Sequence, residues 1–303
     1  MPILGSIGAV SARGFGETAG AGVRPIEVDY LIVAGGGGAA GYTSGGGGGG
    51  GVRTSFPGGT KLELAEINNT ITVGIGGLET APDFATNPTS KGSDSTIATS
   101  TGDFSSNGGG ASSVQGNGAA QALADGGCGG GGSHQGGGGD GNLGGYSPVE
   151  GYNGGRSSSG NFNSAGGGGA GGVGTNNNGG ITGAGTPGGS GISNSITGSA
   201  VTYAGGGGGG AYWPGVGGGS GGSGGGGGVS TSGTDGLGGG AGGGTSPSRP
   251  GGNGGTGVVQ IRIPASEASN YPALGVSPGT NTLNTVGSDQ LATFNVTGTL
   301  DLA

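Results

Sequence analysis

Apolar residues gather in a few short runs, and the runs read as strands. Glu27 to Ala34, EVDYLIVA, places Val28, Tyr30 and Ile32 on one parity and Leu31 and Val33 on the other. A strand so patterned is covered on both faces. Lys61 to Leu64 and Thr70 to Ile75 are further strands. In the second, Ile71, Val73 and Ile75 alternate with Thr70, Thr72 and Gly74, the period of a half-buried strand. Asn68-Asn69 lies between the two and is expected to form the turn. Val258 to Ile263, VVQIRI, sets Val259, Ile261 and Ile263 on one face, and Pro264 ends it. Leu291 to Leu302 alternates Phe294, Val296, Leu300 and Leu302 with Thr293, Asn295, Thr297 and Asp301. Such a terminal strand completes either this chain's own sheet or a neighbour's. No segment keeps a helical period, so little or no α-helix is expected.

Between these strands the pattern is glycine. Of 303 residues, 96 are Gly, in runs such as 45–51, 126–132, 166–169, 205–210 and 224–228 separated by Ser, Asn, Thr and Pro clusters that read as turns. Collagen needs Gly at every third place with abundant Pro, and the unbroken run 45–51 with only 13 Pro excludes it. Two readings remain. One is a flexible Gly/Ser tract. The other is a bundle of polyglycine-II helices, coils of three residues per turn with no internal hydrogen bonds. Their N–H and C=O groups point outward and must pair with neighbouring coils when buried, and close approach requires inward positions without a Cβ. We take the second reading.

Composition narrows the function. Hydrophobic residues make up 29% and charged residues 8%, too few for an ordinary single core. One His, one Cys, one Met and one Trp cannot furnish most catalytic sets, and no enzyme is expected. The net charge is −8, with eight Lys and Arg in all, which disfavours nucleic acid and anionic membranes. No run approaches a membrane span, and the N-terminal segment does not read as a signal peptide. Cys128 has no partner for an internal disulfide.

The motif candidates are weak. Gly36-x-Gly38-x-x-Gly41 imitates a dinucleotide fingerprint, but YTSGGGG follows it where a helix is required. Asp140 and Asp235 are out of register with calcium-binding repeats. Cys128 and His134 are too few for a zinc site. No catalytic, cofactor or metal residues are assigned. The candidate binding residues are aromatic and cationic positions at the turns: Tyr146, Tyr152, Arg156, Tyr203, Tyr212 and Trp213. Exposed rings with polar neighbours suit a carbohydrate- or protein-binding tip, and the competing reading is that they cap the bundle.

EVDYLIVAGGGGAAG, a long Gly run ending GVRTS, NNTITVGIGG and the closing GGTGVVQIRIP follow one another in an order that resembles the glycine-rich domain of bacteriophage tail-fibre and adhesin proteins. The resemblance covers roughly residues 27–264. It implies a small antiparallel, jelly-roll-like sheet carrying a polyglycine-II bundle, in virion proteins that often sit at the end of a fibre. One departure is that the family's TFTVTGTFTV-type strand precedes the first glycine run, whereas its nearest match here, ATFNVTGTLDL, is C-terminal.

The expected organisation is an N-terminal arm (1–26), a glycine-rich domain with flanking strands (27–264) and a C-terminal arm (265–303). The expected function is a non-enzymatic phage virion protein of the tail fibre or tail tip, contacting the host. The alternatives are a capsid or tail decoration held by its arms and, behind it, an ice-binding protein. Expected partners are other virion proteins and a host surface glycan or outer-membrane protein, with the chain forming a homo-oligomer, a trimer in preference.

Overall fold

The computed structural model describes residues 24–79, 90–113, 121–134, 136–158, 162, 164–179, 184–212, 216–246 and 249–303. Its strands, in chain order, are β1 (Ile26–Val33), β2 (Val52–Thr54), β3 (Leu62–Leu64), β4 (Asn68–Thr72), β5 (Ser95–Thr99), β6 (Gly102–Ser106), β7 (Ile192–Asn194) and β8 (Val201–Tyr203). They continue with β9 (Val258–Ile263), β10 (Gly275–Ser277), β11 (Thr282–Val286), β12 (Asp289–Phe294) and β13 (Gly298–Asp301). Among the described residues helix is confined to the four-residue pieces Gln121–Ala124 and Ala265–Ala268.

The strands make two antiparallel sheets and a hairpin. The first sheet runs β11-β12-β9-β1-β2, with β3 also on β1; the second runs β10-β13-β4-β5-β6; β7 pairs β8. The sheets face each other across one core. Ile26, Val28, Tyr30 and Ile32 of β1, Val259, Ile261 and Ile263 of β9 and Phe294 of β12 meet Ile71, Ile97 and Leu300 of the second sheet. The opposite parity of β1, Leu31 and Val33, packs on a second cluster with Val52, Val258, Leu291, Ile196 and Tyr203. β1 is therefore covered on both faces, as its unbroken apolar run requires. Each fully buried Ile or Leu contributes roughly 1.5–3 kcal/mol, so the sandwich is where side-chain burial is concentrated.

Three local expectations are corrected. Asn68 and Asn69 are not a turn but the first residues of β4, and β3 and β4 belong to different sheets. The terminal run is not one strand: β12 pairs β9 in the first sheet and β13 pairs β4 in the second, so the chain changes sheet between them. Of the two fates foreseen for it, completion of the chain's own sheets is the one observed. Third, Ile75 does not share the buried face of Ile71 and Val73 but is 63% exposed, because the strand ends at Thr72 and the two-residue period ends with it.

Beyond the sandwich, glycine segments lie side by side and pair through their backbones. The central one, residues 44–51, shows the rule. Gly46 and Gly49 donate to Ala165 and Gly168 (3.0 and 2.9 Å), Gly47 and Gly50 to Ala241 and Gly238 (both 2.8 Å), and Gly48 and Gly51 to Gly110 and Asn107 (both 2.8 Å). The same neighbour returns every third residue, the recurrence that a coil of three residues per turn produces. Carbonyls of Gly46, Gly47 and Gly48 accept from Gly131, Gly207 and Gly37 at 2.7–2.9 Å. The segment is thus enclosed by six others, and its amides from Gly46 to Gly51 are paired although it belongs to no sheet.

No side chain could stand in this spacing. A Cβ on any of Gly45 to Gly50 would lie within 3.0 Å of a neighbouring carbonyl, and one on Gly51 would meet the Glu150 carboxylate.

Candidate functional site

The hydrogen-bond register fixes a direction. β1 runs from Ile26, paired with Leu64, towards the glycine segments, and β13 runs back to Asp301, paired with Asn68. Leu302 donates to Ile67, Ala273 donates to Ala303, and Arg24 pairs with Glu267 while accepting from the Tyr271 hydroxyl. Residue 24 and the C-terminus therefore lie together at the end of the sandwich remote from the glycine segments, here called the base.

At the opposite end, the tip, the glycine segments reverse. Gly210 donates to Ser44, Gly244 to Ala40, Ser113 to Gly131, Thr186 to Ser164, Ser158 to Asn177 and Ser246 to Ala211, all at 2.9–3.2 Å. These bonds tie together the upper ends of the segments that reach Ala40, Ser113, Gly131, Ser158, Asn177 and Ala211. The tip also holds unusual backbone. Tyr42 (φ 50°), Thr43 (φ 51°), His134 (φ 25°) and Ser230 (φ 56°) occupy the left-handed region in its upper turns, as Asn142 and Ala204 (both φ 57°) do lower in the bundle. Non-glycine residues there cost about 1–3 kcal/mol each. In a chain with 96 glycines, side chains stand at positions where glycine would be easier.

The six residues singled out from sequence do not form one site. Tyr203 is buried at 2% exposure, with its hydroxyl on Gln260 (3.3 Å), so it packs beneath the bundle and is corrected as a surface candidate. Burial raises its pKa, and the Gln260 bond opposes that shift. Tyr146 is half-buried on the flank beside β6. The Arg53 guanidinium lies 3.9 Å from its ring centroid and 3.7 Å from that of Phe104, sandwiched between the two, and donates to Ser105 O (2.7 Å). Tyr152 is 39% exposed on the flank, two residues from buried Glu150.

Arg156 and Tyr212 do reach the tip. Arg156 is exposed, its backbone N–H on Asn176 Oδ1 (2.8 Å). Tyr212 stacks on Phe162 at 4.6 Å between centroids, and Phe162 stacks on His134 at 4.7 Å. Three separate turns are thereby joined by one column of rings. Trp213 lies outside the described residues. Sequence reasoning missed Arg249, exposed in the turn after Thr245, and the Arg53 stack; a lone cation inside SPSRPGG was the available signal for the first.

Beneath the tip the buried Glu150 and Cys128 have partners, whereas among the described residues Asn69 Oδ1, Asp301 Oδ1 and the Thr43, Ser133 and Ser230 hydroxyls are buried without one. Glu150 is fully buried and accepts from Ser106 Oγ (3.0 Å), Asn107 N (2.9 Å) and Asn107 Nδ2 (2.7 Å). Cys128 is buried with its thiol 3.4 Å from Gly50 O. Burial pushes its pKa well up, the Tyr152 backbone bond lowers it, and the Glu150 charge raises it further. Among the described residues no group of three or more His, Cys, Asp or Glu could hold a metal ion, and no helix is long and apolar enough to cross a membrane.

A protein-family model described as a glycine-rich domain matches residues 15–264. The chain belongs to that glycine-rich domain family. The match takes in both core strands β1 and β9 and the glycine segments between them, and its description states no source or role. No curated protein and no solved structure matches the chain.

Proposed function

We propose that this member of the glycine-rich family is a non-enzymatic bacteriophage virion protein that contacts the host surface with the tip of its bundle. The glycine segments act as polyglycine-II helices, a stiff platform that needs no side chains to pack. The observation that carries the reading is the layout: residue 24 lies beside residues 267 and 271 at the base, and the glycine segments are joined by backbone bonds at the opposite end. Attachment at one end and presentation at the other is the geometry of an adhesin. Its remaining proposed partners are other virion proteins at the base. The proposed trimer does not rest on a donated terminal strand, since β12 and β13 pair within the chain.

Selective blocking of either end tests this. Buried Cys128 is poorly placed for labelling, so a cysteine introduced at exposed Asn178 (tip) or Ser266 (base) can be biotinylated and capped with streptavidin. On a panel of bacterial strains, labelled protein should bind at least one strain. Capping at the tip should abolish that binding and capping at the base should leave it. Loss only on base capping would favour the decoration or connector role instead.

A further inference from the structure

The charges of this protein are sorted along its axis. Of the described cations, Arg24 pairs with Glu267, Lys61 with Asp29 (3.8 Å) and Arg262 with Asp289 (2.9 Å), while Arg53 is held between two rings. Lys91, Arg156 and Arg249 remain, with no ion pair among the described residues. All three lie towards the tip. Lys91 follows Ser90, whose carbonyl accepts from Gly38 near the turn at Gly41; the Arg156 carbonyl accepts from Asn177; Arg249 donates its N–H to Thr245 O (3.1 Å). Arg156 and Arg249 are exposed and Lys91 is half-buried.

The carboxylates are sorted the other way. Glu79 is the one described carboxylate at the tip, its backbone on Asn253 Oδ1 (2.6 Å). Asp94, Asp125, Asp140, Glu150 and Asp235 belong to the lower bundle, and the rest of the described acids to the sandwich. In a chain of net charge −8, the described cations left with neither a carboxylate nor a ring stack stand where the described carboxylates are fewest. Among the described residues these cations serve no ion pair, although the protein has acid to spare. They create a local field opposite in sign to the whole.

We infer that the tip binds an anionic polysaccharide, one bearing phosphate or carboxylate groups, through Arg156, Arg249 and Lys91. This rests on the tip being the binding end. Exposed Asn176 and Asn178 beside Arg156 supply amides that suit sugar hydroxyls. The base, crowded with acids, is repelled by the same ligand, so approach is oriented as well as strengthened. The cations are dispersed across the tip rather than aligned in the dense basic stripe that a nucleic-acid backbone needs.

The full chain is tested for binding to immobilised phosphorylated dextran, polygalacturonate and neutral dextran. Binding to at least one anionic polymer, little to neutral dextran, and a fall of about tenfold or more from low salt to ~0.3 M are expected, since exposed charges are screened there. The phosphate and carboxylate arms show which acid is preferred. R156Q/R249Q should lose about tenfold, while R24Q/K61Q, which removes the same charge from the base, should change binding less than about twofold, exposed pairs contributing little to stability. Matching urea midpoints confirm that both variants fold. Equal losses in the two variants, equal binding to neutral dextran, or a preference for single-stranded DNA over every anionic polysaccharide would overturn the inference. If tip capping still abolishes cell attachment while these polymers fail to bind, the adhesin reading stands and the anionic ligand falls. If capping has no effect, the adhesin reading itself falls.

Discussion

Substituting Gly47 by Ala puts one methyl group into the centre of the bundle. The new Cβ would lie well inside 3.0 Å of the Gly37 carbonyl and near Ala241 N, both backbone. Neither can swing aside as a side-chain end would. That carbonyl accepts from Ala241 (3.0 Å), and Gly37 donates to Gly48 (2.8 Å). Moving the Gly37 segment loosens both bonds. Each buried group left short of a partner costs about 1–3 kcal/mol. Overpacking adds about 1–3 kcal/mol, and the stiffer unfolded chain returns about 0.4–1 kcal/mol. The net destabilisation is about 2–9 kcal/mol, against a total of about 5–15 kcal/mol for a folded domain. Gly217 provides the contrast, with nothing within 4 Å of its ideal Cβ and no left-handed φ. Gly217→Ala is expected to be neutral or up to about 1 kcal/mol stabilising. Urea unfolding followed by circular dichroism, with the slopes compared, measures both. Should Gly47→Ala cost less than about 1 kcal/mol, side-chain exclusion would not be what holds the segments together.

Three further outcomes are expected. Glu150→Gln keeps the shape but turns an amide N–H₂ towards donors from Ser106 or Asn107, so it should cost about 1–3 kcal/mol in the same urea assay. Cys128, with its thiol pKa raised by burial, should ignore a thiol reagent at pH 8 in the folded protein and react fully once unfolded; rapid reaction in the native state would place it elsewhere. Burial raises the Asp289 pKa, but the bonds from Arg262, Ala265 N–H and Ser288 outweigh that and hold it below 3.8. A depressed carboxylate stabilises the fold above its unfolded pKa and is lost as pH falls through the folded one. Asp289→Asn should therefore lower stability at pH 6 and flatten its loss below about pH 4 in acid titrations.

The strands were legible because their side chains announce them. β1 and β9 show their covered faces in apolar residues alone, and both occur within a residue of where the pattern put them. That glycine segments pair side by side through their backbones was legible, but not which segment meets which. Gly46, Gly47 and Gly48 reach three different neighbours, yet nothing distinguishes one glycine from the next in sequence. Only the tertiary register does. Ile75 was misassigned because Ile71, Val73 and Ile75 alternate across the end of β4 at Thr72, beyond which the two-residue period no longer holds. Tyr203 misled for a related reason. It precedes a glycine run, as a tip residue would, but it is the last residue of β8 and so enters the bundle from below. Turns at the tip and at the base share the same Ser, Asn, Thr and Gly, so sequence could not say which end a given turn occupies. Arg249 and Lys91 stayed unseen because their meaning lies in where the other charges are.

That separation of ends follows from how the bundle is held. A conventional loop sits on side chains that also serve the core, so changing the loop risks the fold. Here the coils beneath the tip are joined through groups common to every residue, and their registry is set by the sandwich, where Ile, Leu and Val concentrate. A change at Asn178 or Arg156 disturbs neither the amide pairing below it nor the core further down. The constraint falls instead on the residues that close the turns. Tyr42, Thr43, His134 and Ser230 hold left-handed backbone, and the His134–Phe162–Tyr212 column links three turns. An evolving binding surface on this scaffold would therefore vary its exposed polar and cationic positions while retaining these closures. Substitution at the four strained positions by glycine should relax the backbone, and any binding lost with it would mark the side chain as the reason for the strain.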